Sequence, residues 1–182
     1  MAHPPAPGLA IVNAALAFDG NTRQLCLHAH AHAQNLGISA TLIELKDHRV
    51  LPYGEEGSHG IEEIEAQLEK AGAIILGFPV YNYGLNATLK ALIEHCGYCF
   101  EEKVVGVMAA AGGGLSYMSV MAVGQSLMLD FRSWVVPRYV YAAKEDFGPE
   151  SNSSEEVRRR VEQLVETAHR AAWQFRLKLP GS

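Results

Sequence analysis

Two stretches of the chain, AIILGF at 73–78 and VVGVMAA at 104–110, are apolar at every position. A strand with one wet face alternates apolar and polar residues, whereas an uninterrupted apolar run needs cover on both faces. Such runs belong to parallel sheets enclosed by helices, so they narrow the chain to an α/β domain. The flanking segments fit. LAIVNA at 9–14 reads as a first strand, SATLIEL at 39–45 alternates as a strand nearer an edge does, and WVVPRYVYA at 134–142 supplies the last. A helix over 22–37 ends at Gly37, the residue type favoured just past a helix end. Ile61, Ile64, Leu68 and Ala71 share one helical face, and Leu85, Leu89, Leu92 and Ile93 share another. A fourth helix is expected over 117–129, and a fifth from Ser153, where Glu156 completes a capping box. Residues 1–8 read as a disordered Pro-rich tail, and 9–182 as one domain with no repeat or linker.

Five strands alternating with helices predict a doubly wound sheet with right-handed crossovers. The expected architecture is a flavodoxin-like three-layer sandwich, its five-stranded parallel sheet in the order 2-1-3-4-5. Ligands of such sheets sit beyond the carboxyl ends of the strands, where the strand order reverses. Three loops should meet there: 14–21, 78–84 and 110–116. Lys and Arg number 15 against 20 Asp and Glu, a net charge of −5, which opposes tracking of nucleic-acid phosphates. No apolar run is long enough to span a membrane, and MAHPPAPG lacks the marks of a secretory signal. With three cysteines and no disulfide framework, the chain reads as cytoplasmic with reduced thiols.

In the second loop, Pro79 stiffens the strand exit, Tyr81 and Tyr83 offer flat amphipathic surfaces, and Asn82 offers a donor and an acceptor. Gly84 lets the backbone come close. These features suit a flat heteroaromatic ligand with polar edges. A plain strand–helix turn, with tyrosines packed on the sheet rim, accounts for them equally well.

The longer stretch GFPVYNYGLNATLKALIEH resembles the P-x-Y-N-x-S-x-P-x-x-L-K-N-x-I-D segment of the NADPH-dependent FMN reductase family. Pro79, Tyr81, Asn82, Leu89, Lys90 and Ile93 match, while Gly84, Asn86 and Glu94 replace a serine, a proline and an aspartate. The similarity extends more loosely over about residues 9–140, including AAAGGGLSY and the WVVP strand. It implies a flavodoxin-like fold in which Pro79, Val80, Tyr81, Asn82 and Tyr83 contact a flavin ring. Ala111, Gly112, Gly113 and Gly114 would lie on the ring's other side, where glycines let backbone N–H groups approach. The phosphate would sit at a helix N-terminus over Ala15, Ala17, Gly20, Asn21 and Thr22. There the chain departs from the family: Ala15 and Gly20 stand at serines and Ala17 at an arginine. Asn21 and Thr22 keep phosphate-binding character, Asp19 adds a carboxylate, and Arg23 compensates if it turns inward.

Two other motifs carry less. HAHAHA at 28–33 suggests a metal, but steps of two turn a helix by about 200°, so only His28 and His32 can meet. A solvated helix face is expected there, with no metal site. Cys96-Gly97-Tyr98-Cys99 has a redox spacing but follows a helix instead of opening one, so inert thiols are expected.

The resemblance therefore implies an oxidoreductase with bound FMN. Hydride would pass from NADPH or NADH to FMN, then to a small-molecule acceptor such as a flavin, quinone or azo compound. No protein acid or base is required, because the cofactor carries the chemistry. Core packing explains most of the aromatic region Phe131, Trp134, Tyr139 and Tyr141. The resemblance implies a homodimer or homotetramer with some of these residues at an interface, and no nucleic-acid or membrane partner is expected. The altered phosphate loop leaves a second class open: a flavodoxin-like binding or interaction protein that has lost tight FMN binding.

Overall fold

The computed structural model describes residues 6–149 and 152–178. Its strands are β1 (Leu9–Asn13), β2 (Ala40–Glu44), β3 (Ala73–Tyr81), β4 (Gly84–Leu85), β5 (Val104–Ala110), β6 (Trp134–Val135) and β7 (Val140–Ala142). β2, β1, β3 and β5 lie side by side in that order, all parallel. The next position is shared: β6 pairs with Val104 and Val105, and β7 with Met108 to Ala110. This is the doubly wound order expected from the sequence, with its fifth strand broken in two. Pro137, which has no N–H for a ladder, and Arg138, at φ 62°, stand in the break. β4 is antiparallel and folded back on the end of β3.

The helices are α1 (Asn21–Asn35), α2 (Ile61–Lys70), α3 (Ala87–His95), α4 (Val120–Phe131) and α5 (Glu155–Lys178). Alternate residues of each strand serve opposite faces. Ile11, Ile75, Met108 and Val140 pack under α1 and α5 with Leu25, Cys26, Val161 and Leu164. Val12, Leu76 and Val107 pack under α2, α3 and α4 with Leu68, Leu92 and Val123. Each such aliphatic side chain, fully buried, contributes about 1.5–3 kcal/mol. The uninterrupted apolar runs are therefore the two central strands, covered on both sides.

Gly77 sets the distance of α1 from the sheet. A β-carbon there would fall 2.3 Å from Cys26 Sγ, so only glycine lets the start of α1 settle over β3. α1 ends as expected at Gly37 (φ 70°), with Ile38 N donating to the Ala33 carbonyl and Gly37 N to that of Gln34.

Several boundaries differ from the sequence expectation. Leu85, expected on the helical face of Leu89, Leu92 and Ile93, pairs with Val80 in β4, and α3 starts at Ala87. β3 runs on to Tyr81 because β4 pairs with its end. α4 starts at Val120, after a 3-10 segment (Gly114–Ser119) in which Ser116 leaves helical geometry. α5 is capped by Ser154, whose Oγ accepts from Val157 N at 3.3 Å, because Ser153 is held in a bridge to Phe147. Of the expected tail 1–8, residues 1–5 lie outside the described residues. Pro7 is buried, and the Gly8 carbonyl accepts from Gly72 N at 2.8 Å. Among the described residues no helix is long and apolar enough to cross a membrane.

Candidate functional site

The three expected loops meet at the carboxyl ends of β1, β3 and β5. Beyond β1, Ala14 is clamped twice: its N–H donates to the Gly77 carbonyl at 2.8 Å, and its carbonyl accepts Asn86 Nδ2 at 2.8 Å. Asn13, wholly buried, accepts from Ala15 N at 3.2 Å and donates to Glu44 Oε2 at 2.7 Å. The other Glu44 oxygen takes Arg23 Nε at 2.8 Å, and the Arg23 guanidinium lies 5.7 Å from the Phe18 ring centre. Arg23 is thus committed to β2 and does not turn inward.

α1 begins with Gly20 extended at its N-cap and no capping side chain. Its first helical bond is Gln24 N to the Gly20 carbonyl, so the N–H groups of Asn21, Thr22 and Arg23 precede the ladder. The first turn holds no acidic residue. Thr22 is only 3% exposed, and its hydroxyl has no hydrogen-bond partner among the described residues.

β3 and β4 form a two-residue hairpin in which Tyr81 pairs with Gly84. Asn82 and Tyr83, at φ 50° and 61°, make the turn, as the right-handed twist of a tight hairpin requires. Asparagine tolerates this left-handed region; tyrosine at such a φ costs about 1–2 kcal/mol. Tyr81 and Tyr83 stay exposed. Across from them Ala111 N donates to the Ala142 carbonyl at 2.9 Å, and Tyr141 OH donates to the Gly113 carbonyl. Since a phenol has one hydrogen, Ser116 Oγ must donate to Tyr141 at 2.8 Å. Tyr139 OH adds a bond to the Tyr117 carbonyl at 3.0 Å, so the glycine loop and the segment after it are braced from β7 and the residue before it.

Between these segments lies a cleft of about 340 Å³, lined by Asn21, Thr22, Pro79, Val80, Tyr81, Ala110, Ala111, Gly112 and Lys144. A β-carbon on Gly112 would meet nothing within 4 Å, so its backbone faces open space. A larger cavity, about 500 Å³, lies between α5 and the β6–β7 connection. It shares no residue with the three loops, and two of its guanidiniums are occupied: Arg159 by Glu156, and Arg160 by the carbonyls of Tyr139 and Tyr141. The smaller cleft has the position and donors that a doubly wound sheet offers a ligand.

The family model for NADPH-dependent FMN reductase matches residues 7–148. The chain belongs to this family. A relative described as an FMN-dependent NADH:quinone oxidoreductase, from Cellvibrio japonicus (strain Ueda107), is 29% identical over 122 residues. That match covers 57% of this chain and 60% of the relative, so it spans less than two thirds of the curated protein. Among solved structures, apo NADH:FMN oxidoreductase (EMOB) superposes with a TM-score of 0.77 at 14% identity, over 91% of this chain and 89% of that one. FerB, a flavoenzyme NAD(P)H:(acceptor) oxidoreductase from Paracoccus denitrificans, gives 0.72 at 13%, over 92% and 98%. These superpositions establish the flavodoxin-like fold.

Of the residues expected from the family resemblance, Asn21, Thr22, Pro79, Val80, Tyr81, Ala111 and Gly112 line the cleft. Ala15 is buried, Ala17 is exposed, Gly20 caps α1, Asn82 and Tyr83 form the hairpin tip, and Gly113 and Gly114 continue the braced loop. Sequence reasoning missed Ala110 and Lys144 as lining residues and Tyr141 as a brace. Phe131 packs half-buried against Gly97 and Phe100, in keeping with the core packing expected for most of the aromatics near the last strand.

The histidines do not form a solvated face. His28 and His32 pair with Glu162 and Glu166 of α5 at 2.9 and 3.0 Å, and His30 reaches the Ala40 carbonyl at 3.2 Å. The helical stagger thus sends neighbouring histidines to α5 and to β2. Cys96 and Cys99 are buried at the opposite end of the sheet. Burial pushes the Cys96 thiol up to about 12 and raises that of Cys99, the reverse of a reactive thiolate.

Proposed function

We propose that this protein is an NAD(P)H-dependent flavin oxidoreductase that holds FMN in the cleft between α1, the β3–β4 hairpin and the glycine loop. The observation that carries the reading is the cleft itself. It joins free helix N–H groups and the Thr22 side chain at one end to the Tyr81 wall and the open Gly112 backbone at the other. Bound FMN would supply hydride chemistry between NADH or NADPH and a small acceptor of the flavin, quinone or azo class. Asn21 and Thr22 would hold the phosphate through the helix start. Pro79, Val80 and Tyr81 would flank the ring, with Asn82 and Tyr83 at its rim, while Ala111 to Gly114 would present backbone groups to its polar edge. Asn86, tied to Ala14, keeps the two ends in register. The buried thiols fit a cytoplasmic setting. The exposed Leu115, Met118, Met121, Met128 and Leu129 on and before α4 support a homodimer or homotetramer.

Titration of the purified protein with FMN, followed by flavin fluorescence, tests the reading, with NAD(P)H oxidation in the presence of a quinone as the activity assay. Saturable binding and turnover are expected. Failure to bind FMN would favour the second reading, a binding or interaction protein. Alanines at positions 15 and 17 are the observation in its favour.

A further inference from the structure

A phosphate dianion bound at the start of α1 needs a cation, and the family's arginine position holds Ala17. Resting on the FMN reading above, we infer that Lys144 supplies that charge from the opposite side of the cleft. Among the described residues Lys144 is the only charged one lining the cleft, and no carboxylate lines it. The nearby alternatives are spent. Arg23 is paired with Glu44 at 2.8 Å, and Lys46 with Asp47 at 2.7 Å. Among the described residues Lys144 has no ion-pair or hydrogen-bond partner. Its backbone is fixed all the same. Ala143 N donates to Asp146 Oδ2 at 2.8 Å, Asp146 N returns a bond to the Ala143 carbonyl at 2.9 Å, and Ser154 N donates to the Asp146 carbonyl at 2.7 Å. This tight turn starts where the Ala142 carbonyl of β7 accepts from Ala111 N, which keeps the lysine beside the glycine loop. A flexible ammonium on a fixed base, lining the same cleft as Asn21 and Thr22 at the start of α1, would complete a two-sided anion site. A helix start alone would offer only partial charge.

The test uses riboflavin, which has the same ring without the phosphate. FMN and riboflavin are titrated into wild type, Lys144→Gln and Lys144→Arg by fluorescence at low and high salt. Lys144→Gln should weaken FMN binding by about tenfold or more, the loss of one charge-assisted hydrogen bond. Riboflavin binding should stay within about twofold, since it lacks the partner group. Lys144→Arg should retain most FMN affinity, and the salt dependence of FMN binding should shrink in Lys144→Gln. Unchanged FMN affinity in Lys144→Gln would overturn the inference and leave the FMN reading standing. An equal loss for both flavins would overturn it too, placing Lys144 against the ring. Wild type that binds neither flavin would overturn the FMN reading itself.

Discussion

The two ends of the cleft are built from different materials. At the β3–β4 hairpin, shape comes from a strained backbone: two consecutive left-handed residues, a proline in register with Ala110, and a glycine loop braced by Tyr141. At the start of α1 the cleft offers free N–H groups and the Thr22 side chain, with Lys144 lining it from β7's side. A strained turn accepts few side chains, whereas a helix start presents N–H groups whatever its sequence. The hairpin end therefore keeps a recognisable motif, and the helix end can exchange its residues while still holding an anion.

Gly77 supports both ends at once, so the largest effect is expected there. Gly77→Ala would drive a β-carbon to within 2.3 Å of Cys26 Sγ. Overpacking of this kind costs about 1–3 kcal/mol, read as a lower urea midpoint, and it pushes the α1 start off the cleft. Adding Cys26→Ala should recover most of the stability and the FMN affinity. If Gly77→Ala melted like wild type, α1 would not be pinned as described.

Rebuilding the helix end is the next step down. Gly20 is extended, and a β-carbon there meets only Ala17 Cβ, at 3.8 Å, so serine fits without strain. Ala17→Arg with Gly20→Ser should tighten FMN binding by about tenfold or more, through restored charge-assisted hydrogen bonds, and leave riboflavin unaffected. In a Lys144→Gln background the same pair should restore lost affinity. No gain in either background would place the anion away from the start of α1.

The same contrast explains what the sequence revealed. The apolar runs at 73–78 and 104–110 announced the two central strands because double coverage leaves no room for polar residues. The hairpin residues stood out because proline, asparagine and glycine have positional meaning. The broken fifth strand stayed hidden in WVVPRYVYA, where apolar pattern outweighed one proline. Lys144 sits in KED, a run that reads as ordinary surface, and only the crossover topology carries it to Thr22. The histidines misled for a similar reason: the glutamates that partner them lie on α5, far along the chain.

The smallest expected effect is also the one that separates strain from function. Tyr83 is 64% exposed at φ 61°, so it gives up backbone energy and gains little packing in return. Tyr83→Gly removes that cost and should raise stability by up to about 1 kcal/mol, partly offset by the greater freedom of glycine in the unfolded chain. If the ring rests against the hairpin tip, the same variant should weaken FMN and riboflavin equally, by a few fold, since both carry the ring. That pattern is the mirror image of the one expected for Lys144, where only the phosphorylated flavin suffers. A more stable variant with unchanged affinity for both flavins would make Tyr83 a turn residue alone, and leave Tyr81 as the aromatic wall of that end.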